Sequence, residues 1–388
     1  MAEYVVGRGT ESHNLLEHLQ NESAKVIYIR HPSPSLAPNS VPNIVEVTGA
    51  DGKSNTTIWI PLPGLFRRPL SYFRDLLVTF YAVKSKRSPR IQSLFIGRES
   101  FCAFPGLVLK KFGLVQRVII FNADYPLAVA RYSNPLMYKL LRFLEALCVS
   151  RCDCVWDASD IMMQLRKIDG ILDTPSKRLV VPTGNNFNRI SRSKDDEINR
   201  YSIAYAGILS EGKGIRLLLT CLPRLVKMFP SLHLNIIGDG PLRRTIESEL
   251  EDMNLKSVVT FYGYVPRMSD IEQVLARCGV GLALYDPSPS NYARYTDPAK
   301  PKLYLSCGLP VVITRVPPFA NEIERNSAGV VIDYSTEELE SALFTILNDR
   351  DTYSRYRRSA IELGSKYDWA NVVHHALEET FSSFNKKL

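Results

Sequence analysis

No run of about 18 uncharged apolar residues occurs, so no membrane-spanning helix is expected. The start, MAEYVVGRGT, lacks a basic segment ahead of an apolar one and is not a secretory signal. A cytoplasmic location is therefore expected, with any membrane contact peripheral. The seven cysteines show no repeated Cys-x2-Cys pattern. Cys152 and Cys154, in RCDCVW, alternate as on a strand and fit buried thiols of a reducing compartment better than zinc or redox chemistry. No Asp-x-Asp loop stands in a setting that suggests Mg²⁺, since Asp195-Asp196-Glu197 sits in a solvated charge run. No metal and no resident cofactor are expected. Gly238-Asp239-Gly240-Pro241 lacks a third glycine and an acidic residue about twenty positions on, which makes it a poor NAD site. Basic residues are dispersed without a recognised nucleic-acid motif, so nucleic acid is not an expected partner.

What is present fits a soluble α/β protein of two domains. The chain has 388 residues, 45% hydrophobic and 23% charged. Its net charge of +8 favours anionic partners such as nucleotide phosphates, acidic glycans or an anionic membrane surface. Short apolar strands alternate with helices throughout, which indicates mostly parallel, doubly wound sheets. The polar, charged stretch 189–200 interrupts the alternation and is the expected domain boundary.

The most informative stretch is Asp297 to Thr314, DPAKPKLYLSCGLPVVIT. Pro301 suits a first helical turn, Gly308 a helix stop, and Val311 to Ile313 a buried strand. Lys300 and Lys302 fall at the helix start, where free N–H groups and the dipole favour a phosphate. Upstream, strand 202–206 runs into GILSEGKG and strand 233–237 into GDGP. Such turns lie on one sheet edge, so Gly207, Lys213, Gly238 and Lys300 should converge.

In the first half, Gly7, Arg8 and Gly9 turn a strand into a helix and could bring backbone N–H groups to a ligand. Strand 117–121 ends in Asn122-Ala123-Asp124, just where open α/β sheets place ligands. Asp124 is the best carboxylate candidate there, and a capping role is its alternative. Over 66–90, Tyr72, Phe73, Leu76, Leu77, Phe80 and Val83 keep helical spacing amid Arg67, Arg68, Arg74, Lys84, Lys86, Arg87 and Arg90. The simpler reading is a helix packed on a sheet, and the other is contact with an anionic membrane.

RLVVPTGNNF (178–187), YAGILSEGKGI (205–215), LNIIGDGPLRRTI (234–246), VTFYGYV (259–265) and KLYLSCGLPVVIT (302–314) together resemble the GT-B glycosyltransferases, specifically the retaining family 4. AsnSerAlaGlyValValIle (326–332) and the closing helix with Trp369 also fit. Over 1–177 the likeness rests mainly on αβ order and DCVWDASDIM. The resemblance implies two Rossmann-like domains facing a central cleft: residues 1–188 for the acceptor and 201–365 for a nucleotide-sugar donor. A last helix in 366–388 would cross back to the first domain.

In that family a basic pair after the first donor-domain strand holds the diphosphate. Lys213 matches the second member, whereas Ile208 occupies the first. Two glutamates eight apart are replaced by Tyr295 and Leu303. DPAKPKLYL resembles a variant with Pro-x-Lys ahead of the helix, which would give Lys300 a phosphate contact and Asp297 a ribose or sugar hydroxyl. The donor side is thus expected at Gly207, Ile208, Gly238, Gly240, Tyr264, Asp297, Pro298 and Lys302. The acceptor side is expected at Gly7, Arg8, Gly9 and Asn122. Lys213, Lys300 and Asp124 are expected to carry the chemistry, Asp124 as base if transfer inverts. The implied activity is metal-independent, retaining sugar transfer from a UDP-, GDP- or ADP-sugar to a glycan or lipid-linked acceptor. A nucleotide-sugar epimerase and a degenerate binding protein are the alternatives.

Overall fold

The two αβ series form two separate sheets in the computed structural model, which describes residues 4–7, 15–16, 19–20, 25–31, 43–49, 52–60, 67–87, 93–133, 135–171, 177–289 and 291–385. The chain divides into one unit of Met1–Pro182 with Val373–Leu388 and a second of Thr183–Val372. The division falls ahead of the expected linker. Residues of 189–200 are held on the second unit: Arg357 donates to Asp195 Oδ1 (2.9 Å) and to the Ser193 carbonyl (2.8 Å).

The first unit carries β1 (Tyr4–Gly7), β2 (Lys25–Arg30), β3 (Asn43–Gly49), β4 (Gly52–Ile58), β5 (Leu94–Arg98), β6 (Arg117–Asn122), β7 (Cys154–Asp157) and β8 (Lys177–Val180). Their order is β4-β3-β2-β1-β5-β6-β7-β8. Strands β2, β1 and β5 to β8 are parallel, and β3 and β4 add an antiparallel edge. β4 is the polar edge strand, GKSNTTI, with most of its residues exposed.

The helices of this unit are α1 (Arg67–Lys86), α2 (Glu99–Lys111), α3 (Pro126–Ser133), α4 (Pro135–Arg151) and α5 (Ile161–Ile168). Helix α2 opens with Glu99 at a left-handed φ of 58° and carries Pro105 inside. Ile27, Phe95, Val118, Ile120 and Val155 form the fully buried centre of the sheet. Trp156 donates to Thr380 Oγ1 (3.0 Å), which ties the C-terminal segment to its own unit.

The second unit has β9 (Asn199–Ala206), β10 (His233–Ile237), β11 (Val259–Gly263), β12 (Cys278–Ala283), β13 (Val311–Thr314) and β14 (Gly329–Ile332). All pair in parallel, in the order β11-β10-β9-β12-β13-β14. That is the 3-2-1-4-5-6 order of a doubly wound sheet, whose direction of winding reverses between β9 and β12. Its helices are α6 (Ile215–Met228), α7 (Arg243–Asp252), α8 (Met268–Leu275), α9 (Ala299–Ser306), α10 (Ala320–Arg325), α11 (Thr336–Leu347) and α12 (Arg350–Ser365), and α13 (Trp369–Asn385) leads into the first unit's segment.

Helices α3, α10 and α12 do not stand out in the sequence. α12 buries Tyr353, Arg357, Ala360, Leu363 and Gly364, and an arginine within that stripe masks its apolar period. Among the described residues no helix is long and apolar enough to cross a membrane.

Candidate functional site

Strand β9 ends beside three glycines that bring chain segments unusually close. Gly207 (φ 148°) donates to the Ile237 carbonyl (2.8 Å), and Gly238 (φ 138°) donates to the Gly263 carbonyl (2.8 Å). A Cβ on Gly238 would stand 2.0 Å from the Gly207 oxygen, so no side chain fits there. Gly240 is held against Leu209, whose oxygen would lie 2.4 Å from an added Cβ. Gly212 and Gly214, with φ of 74° and 76°, then shape the loop that carries Lys213. Tyr205 donates to the Lys213 carbonyl (2.9 Å), and Asn291 Nδ2 donates to the Gly212 carbonyl (3.0 Å).

Lys300 enters this edge from α9. Its Nζ lies 4.6 Å from the Tyr205 ring centre and 5.6 Å from that of Tyr285. It also lies beside Gly207, where an added Cβ would approach it to 2.9 Å. Among the described residues no carboxylate pairs with Lys300 or Lys213. Burial, and then the Lys213 charge, lower the Lys300 pKa from 10.5 to about 7. Tyr304 fixes the floor: its hydroxyl accepts from Ala206 N (2.7 Å) and donates to the Leu282 carbonyl (3.2 Å). The structure thus brings together Gly207, Gly238, Lys213 and Lys300 at the point where the winding reverses. Tyr205, Tyr285 and Tyr304 complete the arrangement. Aromatics at strand ends and inside a helix look like core, and only the short spacing of Tyr205 and Tyr285 to the next glycine or loop marked them.

Two expected donor contacts are corrected. Lys302 is 0% exposed, and its Nζ donates to Asp297 Oδ2 (2.5 Å) and to the Thr183 carbonyl (2.9 Å). The Asp297 carboxylate also accepts from Thr183 N (2.7 Å), so both side chains bind the 183 turn to α9 and are closed to a ligand. Helix α9 begins at Ala299 with Pro298 at its N-cap, which places Pro301 in the first turn as expected. A proline at the third position remains tolerable because the first-turn N–H groups have no intrahelical acceptor. Ile208 is 62% exposed and Tyr264 is 78% exposed. At the two family-glutamate positions, Tyr295 donates to the Pro289 carbonyl (2.9 Å) and Leu303 is buried.

In the first unit the winding reverses between β1 and β5, which end at Gly7 and Arg98. Arg8 and Gly9 lie outside the described residues. Asn122 is not open to an acceptor: it is buried and donates to Asp157 Oδ1 (3.0 Å). Asp157 in turn accepts both terminal nitrogens of the buried Arg166 (2.6 Å each), whose Nε donates to Glu145 (2.7 Å). Helix α5 begins at Ile161, where Ser159 Oγ accepts from Ile161 N (3.5 Å), whereas Asp160 makes no capping bond.

Asp124 remains accessible. Its side chain is 37% exposed and lies 3.7 Å from Arg98. Next to it, Tyr125 donates to the buried Asp169 (2.8 Å), so the residues flanking Asp124 are anchored on both sides.

The fold is GT-B. The chain superposes on a sucrose-phosphate synthase from Thermosynechococcus elongatus with a TM-score of 0.72 at 14% identity, covering 100% of both chains. On Anabaena HepE, solved in complex with UDP, the TM-score is 0.71 at 13% identity, over 99% of this chain and 100% of that one. Residues 200–349, within the second unit, match the family described as Glycosyl transferases group 1. The chain is also 24% identical over 297 residues to the sulfoquinovosyl transferase of Arabidopsis thaliana, across 72% of this chain. It spans 54% of that curated relative's length.

Proposed function

We propose that the protein is a glycosyltransferase that moves a sugar from a nucleotide-diphosphate sugar to a glycan or lipid-linked acceptor. The observation that carries this is the pair Lys213 and Lys300, two basic side chains without a carboxylate partner among the described residues, at the reversal point of a doubly wound sheet. A diphosphate supplies the missing negative charge, and the tight glycine turn leaves room for it. The relatives' names, one a sulfoquinovosyl transferase and one a protein holding UDP, support the same donor class.

In the transfer, the bond from the anomeric carbon to the β-phosphate oxygen breaks and the acceptor hydroxyl oxygen bonds to that carbon. Lys213, Lys300 and backbone N–H groups near Gly207 stabilise the departing diphosphate, a task that needs no resident metal. In the retaining course we favour, the hydroxyl proton passes to the leaving phosphate oxygen. In an inverting course Asp124 takes it.

A thermal-shift panel of UDP, GDP, ADP and their sugars, with and without Mg²⁺, tests the donor reading. One nucleotide family should raise the midpoint with the logarithm of its concentration. Release of nucleoside diphosphate on adding acceptor then separates a transferase from an epimerase, and binding without turnover would identify a degenerate binding protein. Asp124→Asn should abolish transfer while sparing donor binding if Asp124 is the base. Wild-type turnover would remove it from the mechanism.

A membrane surface is the natural home of a lipid-linked acceptor, and α1 supports that reading. Phe73, Leu77 and Tyr81 are 60%, 50% and 62% exposed at helical spacing, close to exposed Lys84. Charge reversal at Arg67, Arg68, Lys84 and Lys86 should release the protein from anionic vesicles, and unchanged binding would sink the idea.

A further inference from the structure

We propose that Lys300 takes up a proton when the donor diphosphate binds, so that the ligand itself completes an ammonium which the described residues of the free protein leave without a counter-charge. The inference rests on the donor-site reading above and concerns how that site responds to pH.

Lys302, on the same helix, shows how this fold treats a lysine meant to stay charged. It receives a carboxylate and a carbonyl, Asp297 and Thr183. Lys300 receives neither among the described residues. From β9 it meets the Tyr205 ring and Gly207, and from the segment after β12 it meets the Tyr285 ring. Lys213, on the loop before α6, adds a like charge. The phenols offer no anion near neutrality, because burial raises both Tyr205 and Tyr285. Tyr304, from α9 itself, uses its hydroxyl on Ala206 and Leu282, and its pKa is raised by burial as well.

The surrounding acids are already engaged or lie farther out. Asp297 acts on Tyr285 from a distance but is bound to Lys302, and Asp286 and Glu211 act on Tyr334, which in turn acts on Tyr205. A cation–π contact favours the charged form, whereas burial and then Lys213 lower the Lys300 pKa, to about 7.

The sign follows from linkage. An anion binds the ammonium form, so the bound-state pKa is higher than the free one. Below the free value Lys300 is already charged, and binding takes up no proton. Above it, each binding event takes up a proton, and affinity falls with rising pH by up to about tenfold per unit until the bound-state value is reached.

The test is calorimetric titration of the full-length protein with UDP-glucose, GDP-glucose and ADP-glucose in buffers of different ionisation enthalpy. The diphosphate of these probes has no phosphate that titrates near neutrality, so uptake is not hidden by the ligand. For the probe that binds, uptake should approach about one proton at roughly pH 8 and vanish about two units lower. Lys300→Arg, with its permanent charge, should bind without uptake and without the decline in affinity. Lys213→Met should bind more weakly and move the onset of uptake to higher pH, because it removes the like charge. Donor binding with no uptake by the wild type, or uptake unchanged in Lys300→Arg, would overturn the proposal. Failure of every probe to bind would overturn the donor-site reading itself, and this inference with it.

Discussion

The two sheets handle charge at their carboxyl edges in opposite ways. In the first unit, the buried Arg166 meets both Asp157 and Glu145, and Asn122 joins the network through Asp157. In the second, Lys213 and Lys300 share an edge with glycines and aromatic rings and meet no carboxylate among the described residues. A buried ion is costly unless it is paired and hydrogen-bonded. Paired charge therefore fixes structure, as Asp157 and Arg166 fix the end of β6 beside Asp124. Unpaired charge keeps its demand for an anion, which is what the proposed donor diphosphate would meet. Lys302 and Lys300 repeat the contrast within one helix, the first bound to Asp297 and the second meeting aromatic rings and no carboxylate among the described residues.

The sharpest way to break the comparison is to unpair the first unit's network. Arg166→Met leaves Asp157 and Glu145 buried without their cation, and should destabilise that unit by about 3–5 kcal/mol in urea unfolding. A change below about 1 kcal/mol would mean that the cluster is not holding the unit together. Lys302→Met poses the same question in the second unit. Asp297 keeps its bond from Thr183 N, so the expected loss is at the low end, about 3 kcal/mol. Donor affinity should fall less than stability, since Lys302 does not reach the site.

These residues also mark what the sequence made legible. The second unit's αβ order, its glycine turns and Lys213 follow from local rules: a strand, a turn requiring positive φ, then a helix. The choice between Lys300 and Lys302 did not. Each helical residue turns about 100°, so two residues apart on α9 means nearly opposite faces. Which face looked inward depended on how the helix packs against the sheet and the 183 turn, which the local sequence does not give. Asp297 looked like a sugar-hydroxyl ligand because its partner became visible only once that face was known. The Arg166 network was hidden for another reason: Glu145, Asp157 and Arg166 sit on three separate elements, and nothing local couples them. Asn122 was misread with it, since a polar residue at a strand end looks open until its acceptor is placed.

A third test sharpens the contrast through pH. Folding lowers the Lys300 pKa from 10.5 to about 7, so the unfolded chain binds the extra proton between those values. The cost of holding Lys300 in the folded site is fully present below about pH 7 and is relieved as pH rises toward 10.5. Lys300→Met should therefore raise the thermal midpoint of the ligand-free protein at pH 6.5, with the gain shrinking by pH 9. A constant difference between wild type and variant would show that Lys300 keeps its charge in the fold.

The smallest effect separates the Tyr205 ring from its hydroxyl. Tyr205→Phe keeps the aromatic face near Lys300 but removes the bond to the Lys213 carbonyl. That carbonyl is then left without this donor, and stability should fall by about 0.5–1.5 kcal/mol. If the hydroxyl matters only by setting the Lys213 loop, donor binding should weaken severalfold while proton uptake at Lys300 survives. If uptake disappears together with the hydroxyl, the phenol itself takes part in the protonation equilibrium. The edge would then work as a coupled Tyr205–Lys300 pair, and the clean division between paired structural charge and unpaired binding charge would fail at the very residue that joins them.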